Sequence, residues 1–280
     1  MPVIVGYALR ESLRRRVFVI VLLLTVAFLA LYWIGADKAF EESANLIPPA
    51  GIDAEELAGA TVFGLSMFAT LFLGTVLAVF LTLGVVRGDA ERGLLQPLVV
   101  RPLGRTTLLL ARYLAAGGVC MLYVLAVYGA SVAITGVTGG WWPDRIVAPG
   151  LQLAFGVAII AAISLLGSVF LSATANGIAV FMVFGAGLLA GLLGQIGQAL
   201  NSETLESVAR NASWALPFEA LYQDALHRIT VDSSGLTEFV LELGPFGGAE
   251  AAGGKLPLWT VAYLFGLGAL AAGVLARKDL

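Results

Sequence analysis

Six stretches of this chain run for eighteen residues or more without one aspartate, glutamate, lysine or arginine: 17–34, 61–86, 113–135, 149–171, 177–199 and 257–276. At 1.5 Å per residue, a helix of about 20 residues crosses the roughly 30 Å of hydrocarbon in a bilayer. A span in lipid must satisfy its own backbone hydrogen bonds, which leaves helices or a closed barrel. Alternating ten-residue strands are absent, so the expected fold class is an all-α membrane protein with six transmembrane helices. Composition agrees, since 12% of residues are charged against about 25% in soluble domains. Spans four and five are parted only by LSATAN (171–176). A tight turn at Ala175-Asn176-Gly177 is expected there, because Asn and Gly tolerate left-handed backbone.

Charge sets the orientation, because cytoplasmic flanks collect Lys and Arg. Arg10, Arg14, Arg15 and Arg16 precede the first span. Arg87, Arg92, Arg101, Arg105 and Arg112 lie between spans two and three, and Arg277 and Lys278 follow span six. These are 11 of the 16 basic residues, and six crossings put them all on one side. That side is expected to be the cytoplasm, with both termini in it, and the membrane the cytoplasmic (inner) one. Residues 35–60 and 200–256 then fall outside, in segments rich in acids.

Residues 2–16 read as an amphipathic elbow helix in the membrane interface. Ile4, Val5, Ala8, Leu9 and Leu13 share one face, opposite Arg10, Glu11, Arg14 and Arg15. A plain basic anchor is the alternative. The following apolar run is too long for a signal-peptide core, and no small-x-small cleavage site follows it. In the second outer segment, PFEALYQDALHRI (217–229) places Phe218, Leu221, Tyr222, Ala225, Leu226 and Ile229 on one stripe behind Pro217. A short extracytoplasmic helix lying on the outer surface is expected, followed by a flexible GPFGGAEAAGGK (244–255).

No constellation for catalysis or metal binding is visible. One cysteine, Cys120, and one histidine, His227, exclude an internal disulfide and Cys/His metal clusters. GGAEAAGGKL fails as a phosphate loop: Ala249 stands where the first glycine belongs, and Leu256 replaces Ser or Thr. The chain is therefore expected to bind no cofactor, nucleotide or nucleic acid itself and to be no enzyme. Asn211-Ala-Ser213 has the form of a glycosylation sequon but is too short to carry weight. Cys120 reads as a packing residue. His227, near Asp224 and Arg228, reads as solvated.

The spans keep no ionisable group in their interior, which argues against a proton relay. Their polar residues are Thr70, Thr75, Thr82, Ser131, Ser164, Ser168, Gln195 and Gln198. These suit a route for an apolar or amphipathic cargo, or plain bonding between helices. Gly187 and Gly191 form a GxxxG spacing that admits a close backbone, either of a second subunit or of a helix in the same chain.

Between spans two and three stands a charged, proline-broken island, RGDAERGLLQPLVVRPLGRTTLLLAR (87–112). Asp89 to Gln96 allow two turns of helix before Pro97. Asp89 suits the helix start and pairs in spacing with Arg92. Leu94, Leu95 and Leu98 beside these charges fit a groove on a soluble partner, or a loop folded back on the bilayer.

Residues 87–112 resemble the cytoplasmic loop of ABC-2 type transporter permeases. Glu91, Gly93 and Leu95 match its E-x-G-x-L, Pro102-Leu-Gly-Arg105 its Pro-x-x-Arg, and Arg112-Tyr113 its basic entry into span three. ALRESLRRRVF, the six-span plan and Pro-Phe-Glu-Ala-Leu-Tyr (217–222) resemble the same family, nearest its multicopper-enzyme-maturation-like branch. The resemblance implies one ABC-2 transmembrane domain over 1–280, with residues 1–16 as elbow helix and 87–112 as coupling loop. It implies a dimer with a second copy or a sister permease, and docking on a separate ATP-binding cassette ATPase that holds ATP and Mg. Asp89, Glu91, Arg92, Gly93, Leu94, Leu95 and Gln96 would form the docking helix, with the leucines as anchors. The implied function is the permease subunit of an exporter driven by ATP hydrolysed on that separate subunit. The rival reading is a membrane scaffold or sensor that recruits a partner without transport.

Overall fold

The computed structural model describes residues 16–45, 48, 52–83, 105–231 and 251–277. The elbow segment and the docking stretch Asp89 to Gln96 lie outside the described residues. Eight helices carry the described chain: α1 (Arg16–Asn45), α2 (Ala54–Thr82), α3 (Arg105–Gly139), α4 (Val147–Phe170), α5 (Ala173–Ala199), α6 (Glu203–Ala215), α7 (Pro217–Ile229) and α8 (Leu256–Arg277). Among the described residues there is no strand. All but α6 and α7 are long and apolar enough to cross a membrane, so the chain is an all-α, multi-pass membrane protein.

The helices outrun the apolar stretches, because a backbone already helical in lipid continues wherever good helix formers follow. α1 passes Ile34 and takes in ADKAFEESAN, where Lys38 pairs with Glu41 one turn on. α2 starts before its apolar run because Asp53 caps it, accepting from the backbone N–H groups of Glu55 (3.0 Å) and Glu56 (3.1 Å). α3 begins at Arg105, so the end of the island already belongs to a helix.

The turn between α4 and α5 differs from expectation. It is Leu171-Ser172, not Ala175-Asn176-Gly177. Ser172 is extended and its hydroxyl accepts from the N–H of Ala175, so the serine caps α5 and the Asn-Gly pair falls inside the first turn. Asn176 is buried and donates to the backbone O of Ser164 (2.9 Å), which gives it a partner that a turn residue would lack.

α4 is the most enclosed of the six long helices and α8 the least. α2, α3 and α4 meet closely where Gly74 stands: a Cβ there would come 2.7 Å from Val124 Cγ2 and 2.8 Å from Val157 Cγ2. Around this centre Phe63, Met67, Leu71, Leu77, Leu153 and Ile160 are buried. Cys120 is fully buried in the same core. Leu22, Leu31 and Ile34 of α1 and Leu258 and Phe265 of α8 are exposed, as expected of faces whose solvent is lipid.

The largest departure is α7. The helix bounds and the apolar stripe match the sequence reading, and all six stripe residues are buried. It does not lie on the outer surface. Going down α5 from its C-terminal end, Gly197 abuts Glu206, Gly194 abuts Ala209, and Gly187 abuts Phe218. Thus α6 descends beside α5 and the chain reverses at Leu216. α7 then climbs back along α4: Phe218 touches Gly156, Asp224 bonds Gln152, and the backbone O of Ile229 accepts from the N–H of Asp144. Gly156 is nine residues into α4, so the hairpin tip sits about 13 Å below the helix end. A reversal at such depth is tolerated because α8 satisfies its carbonyls, Trp259 and Tyr263 donating to Trp214 and Ala215.

Candidate functional site

Three features of the bundle bear on function. The first frames the island. Thr82 is the last residue of α2, and its hydroxyl donates to Ser164 Oγ of α4 (2.6 Å). Asn176 of α5 donates to Ser164 O and Oγ. All three residues are buried. The end of α2 is therefore bonded to α4 at Ser164, the residue that α5 also bonds through Asn176. Of the other polar span residues, Thr75 and Ser168 only bond back to their own helices.

The second is the hairpin's own fastening. Asp224 is 2% exposed and accepts from three directions: Gln152 Nε2 of α4, Arg228 Nε of α7 (2.7 Å) and the N–H of Ala252 just before α8 (2.9 Å). Trp259 Nε1 and Tyr263 OH of α8 donate to the carbonyls of Trp214 and Ala215 (2.9 Å each), satisfying carbonyls in the last turn of α6. Burial, with the nearby Glu219 carboxylate adding, raises the Tyr222 hydroxyl well above its ordinary pKa. His227, read as solvated from the sequence, is half-buried on the same helix, while Asp224 is inside and Arg228 reaches the edge.

The third is a cavity of ≈ 280 Å³ between α5, α6, α7 and the start of α8. Glu219, Gln223, Ser213 and Trp214 line it. A second, apolar groove of ≈ 720 Å³ runs between α3, α4 and α8 past Gly117, Gly118 and Gly268.

Gly187 and Gly191, singled out by spacing, face this hairpin. A Cβ on Gly187 would lie 2.8 Å from Phe218 Cε2, and one on Gly191 2.9 Å from Gln223 Nε2. Phe218 stacks on Phe184 with centroids 5.8 Å apart. Sequence reasoning missed α6 and the two buried carboxylates, Glu219 and Asp224. The signal was present in the unusual glycine content of span five, which a helix in lipid does not need unless something must come close. Among the described residues no group of His, Cys, Asp and Glu has the arrangement of a metal site.

No family model matches the chain. Curated proteins do. The chain is 32% identical over 177 residues to "Probable ABC transporter permease protein NosY" of Pseudomonas aeruginosa, a match covering 61% of this chain and 58% of that protein. It is 32% identical over 171 residues to the protein of the same name from Stutzerimonas stutzeri, covering 59% and 54%. This chain is similar to proteins named as probable ABC transporter permeases. The match spans little more than half the length of either relative, and it agrees with the branch that the island and the elbow segment resemble.

Proposed function

We propose that the chain is the membrane-spanning permease subunit of an ATP-binding cassette transporter and that it exports its cargo from the cytoplasm. The observation that carries this is the shared sequence with proteins named as such permeases. ATP and Mg bind to a separate ATPase subunit, and the permease acts as a dimer with a second copy or a sister chain. Asp89, Glu91, Arg92, Gly93, Leu94, Leu95 and Gln96 dock on that ATPase. ATP has unequal affinity for two arrangements of the ATPase pair, and a docked loop links this difference to two arrangements of the bundle. The bonds from Thr82 to Ser164 and from Ser164 to Asn176 support the reading. A movement at the end of α2 reaches α4, and through Ser164 also α5, by these bonds.

Affinity purification of the full chain in mild detergent tests the proposal. Recovery of an ATPase with nucleotide-binding motifs is expected. Recovery of a non-ATPase partner alone would replace the permease by the scaffold reading.

A further inference from the structure

The apolar groove between α3, α4 and α8 is cut into the membrane-spanning part of the chain. It runs from Leu110 to Met121 on α3 and from Val261 to Ala272 on α8, about 16 Å along each helix. Its floor includes Ala158, Ala162 and Leu165 of α4, all buried, while Leu114 and Phe265 on its walls are exposed. A Cβ on Gly117, Gly118 or Gly268 would meet nothing within 4 Å, so α3 and α8 stand apart where small residues would let them close. The space left is ≈ 720 Å³. A void of this kind forfeits dispersion contacts along its lining, and water finds too few polar partners in it. Among the described residues that line it none is charged, and only Tyr113 has a polar side chain. Tyr113 packs with Leu165 and Ala271 at one end of the groove. Towards that end α3 begins, at Arg105, and α8 finishes, at Arg277. The groove is thus apolar along its length and has cationic positions beyond one mouth. A tyrosine near a span's end suits the headgroup level, and basic positions beside a span favour a phosphate.

We infer that the groove is a binding site for one phospholipid, with an acyl chain lying along the glycines and the phosphate at the Arg105 and Arg277 end. The lining has no partner for a charged or strongly polar ligand, and a hydrocarbon chain needs none. A helix from a second copy is a poorer occupant. Being rigid and about 10–12 Å across, it would rest on the exposed Leu114 and Phe265, whereas an acyl chain bends between them to the glycines. The lipid chain also has a structural task. α8 is the least enclosed of the six long helices. Its N-terminal turns are fastened through Trp259 and Tyr263, and its later turns face α3 and α4 across the groove. A chain lying there supplies packing between them. The inference needs a chain that spans the membrane and is independent of the permease reading.

Native mass spectrometry of the full chain tests the site. The protein is purified in detergent, stripped of lipid, and given dioleoylphosphatidylglycerol as the probe. Retention of one phospholipid per chain is expected, with a thermal unfolding midpoint that rises as the lipid is added back, since a ligand of the folded state stabilises it. Dioleoylglycerol has the same chains and no phosphate, and should be retained about tenfold less, the scale of one or two basic residues beside a phosphate. Gly118→Leu directs a branched side chain into the groove from a position with open space at its Cβ, and should abolish both retention and the midpoint shift. Gly268→Leu fills the groove from α8 and decides the matter if the first variant does not fold. No retained phospholipid, equal retention of dioleoylglycerol, or wild-type retention in a folded leucine variant overturns the site. If the variants keep the lipid and lose a dimer instead, the groove belongs to a second copy of the chain and the inference falls.

Discussion

Asp224 joins three parts of the chain through one carboxylate: α7, the N-terminal half of α4 and the approach to α8. Asp224→Ala leaves the donors of Gln152 and Ala252 without an acceptor in a buried place, which costs about 3 kcal/mol. The Arg228 side chain is 40% exposed and finds water instead, so its share of that cost is small. Asp224→Asn keeps an acceptor oxygen and should cost about 1 kcal/mol. Thermal unfolding midpoints of the detergent-purified protein should fall in the order wild type, Asn, Ala. Equal midpoints for the two variants would remove Asp224 from its joining role. Asn176 is expected to contribute less. Asn176→Ala deletes one donor to Ser164, and polar bonds between membrane helices average under about 1 kcal/mol. On the proposed function, its effect should appear in the coupling of ATP hydrolysis to transport before it appears in the midpoint, because the residue joins α5 to the serine that also holds the end of α2.

At the scale of an element, the hairpin is held by fit. Gly187 lies under the ring of Phe218, and Ala at this position forces the ring or the helix to move, an overpacking cost of about 1–3 kcal/mol. Gly185 on the same helix has open space where its Cβ would be. Gly185→Ala should therefore be neutral or slightly stabilising through helix propensity, while Gly187→Ala lowers the unfolding midpoint of the isolated chain. The reverse order would mean that span five packs on its neighbours by a different face. The same comparison shows what was legible beforehand. The period of PFEALYQDALHRI identified α7 and its buried stripe, because a helix that packs repeats its apolar residues every three or four positions. Where that stripe is buried is a tertiary fact. A helix on a wet surface and a helix inserted between spans need the same stripe, and only the carboxylates on the other side, Glu219 and Asp224, differ in their surroundings. The Leu171-Ser172 turn was missed for a related reason. Asn-Gly satisfies a turn by its own backbone, but Ser172 caps a helix and Asn176 finds a buried carbonyl, and the second arrangement satisfies more polar groups.

The whole molecule is organised by a sidedness that the six spans impose. Residues 87–112 and both ends share one face of the bundle only if every long helix crosses, whereas the α6–α7 hairpin enters from the opposite face and leaves by it. Each Arg carried to the wrong side costs roughly 2.5–3.5 kcal/mol at the centre of the membrane, so a bundle with eleven of its sixteen cations on one side has one strongly favoured orientation. The chain offers a clean way to measure this. Cys120 is its sole cysteine and is fully buried, so an introduced thiol can be read against a silent background. Arg92→Cys should react with a membrane-impermeant maleimide only after the cells are opened. Ser202→Cys, between α5 and α6, should react in intact cells. On the proposed docking role, Leu94→Asp with Leu95→Asp should then release the ATPase while leaving this labelling pattern unchanged, because leucines that anchor a partner contribute nothing to membrane insertion. Labelling of position 92 from outside would turn the bundle over and put the island beyond the reach of any cytoplasmic ATPase. Retention of the ATPase at wild-type yield by the double variant would leave the orientation standing and move the docking surface to another part of the loop.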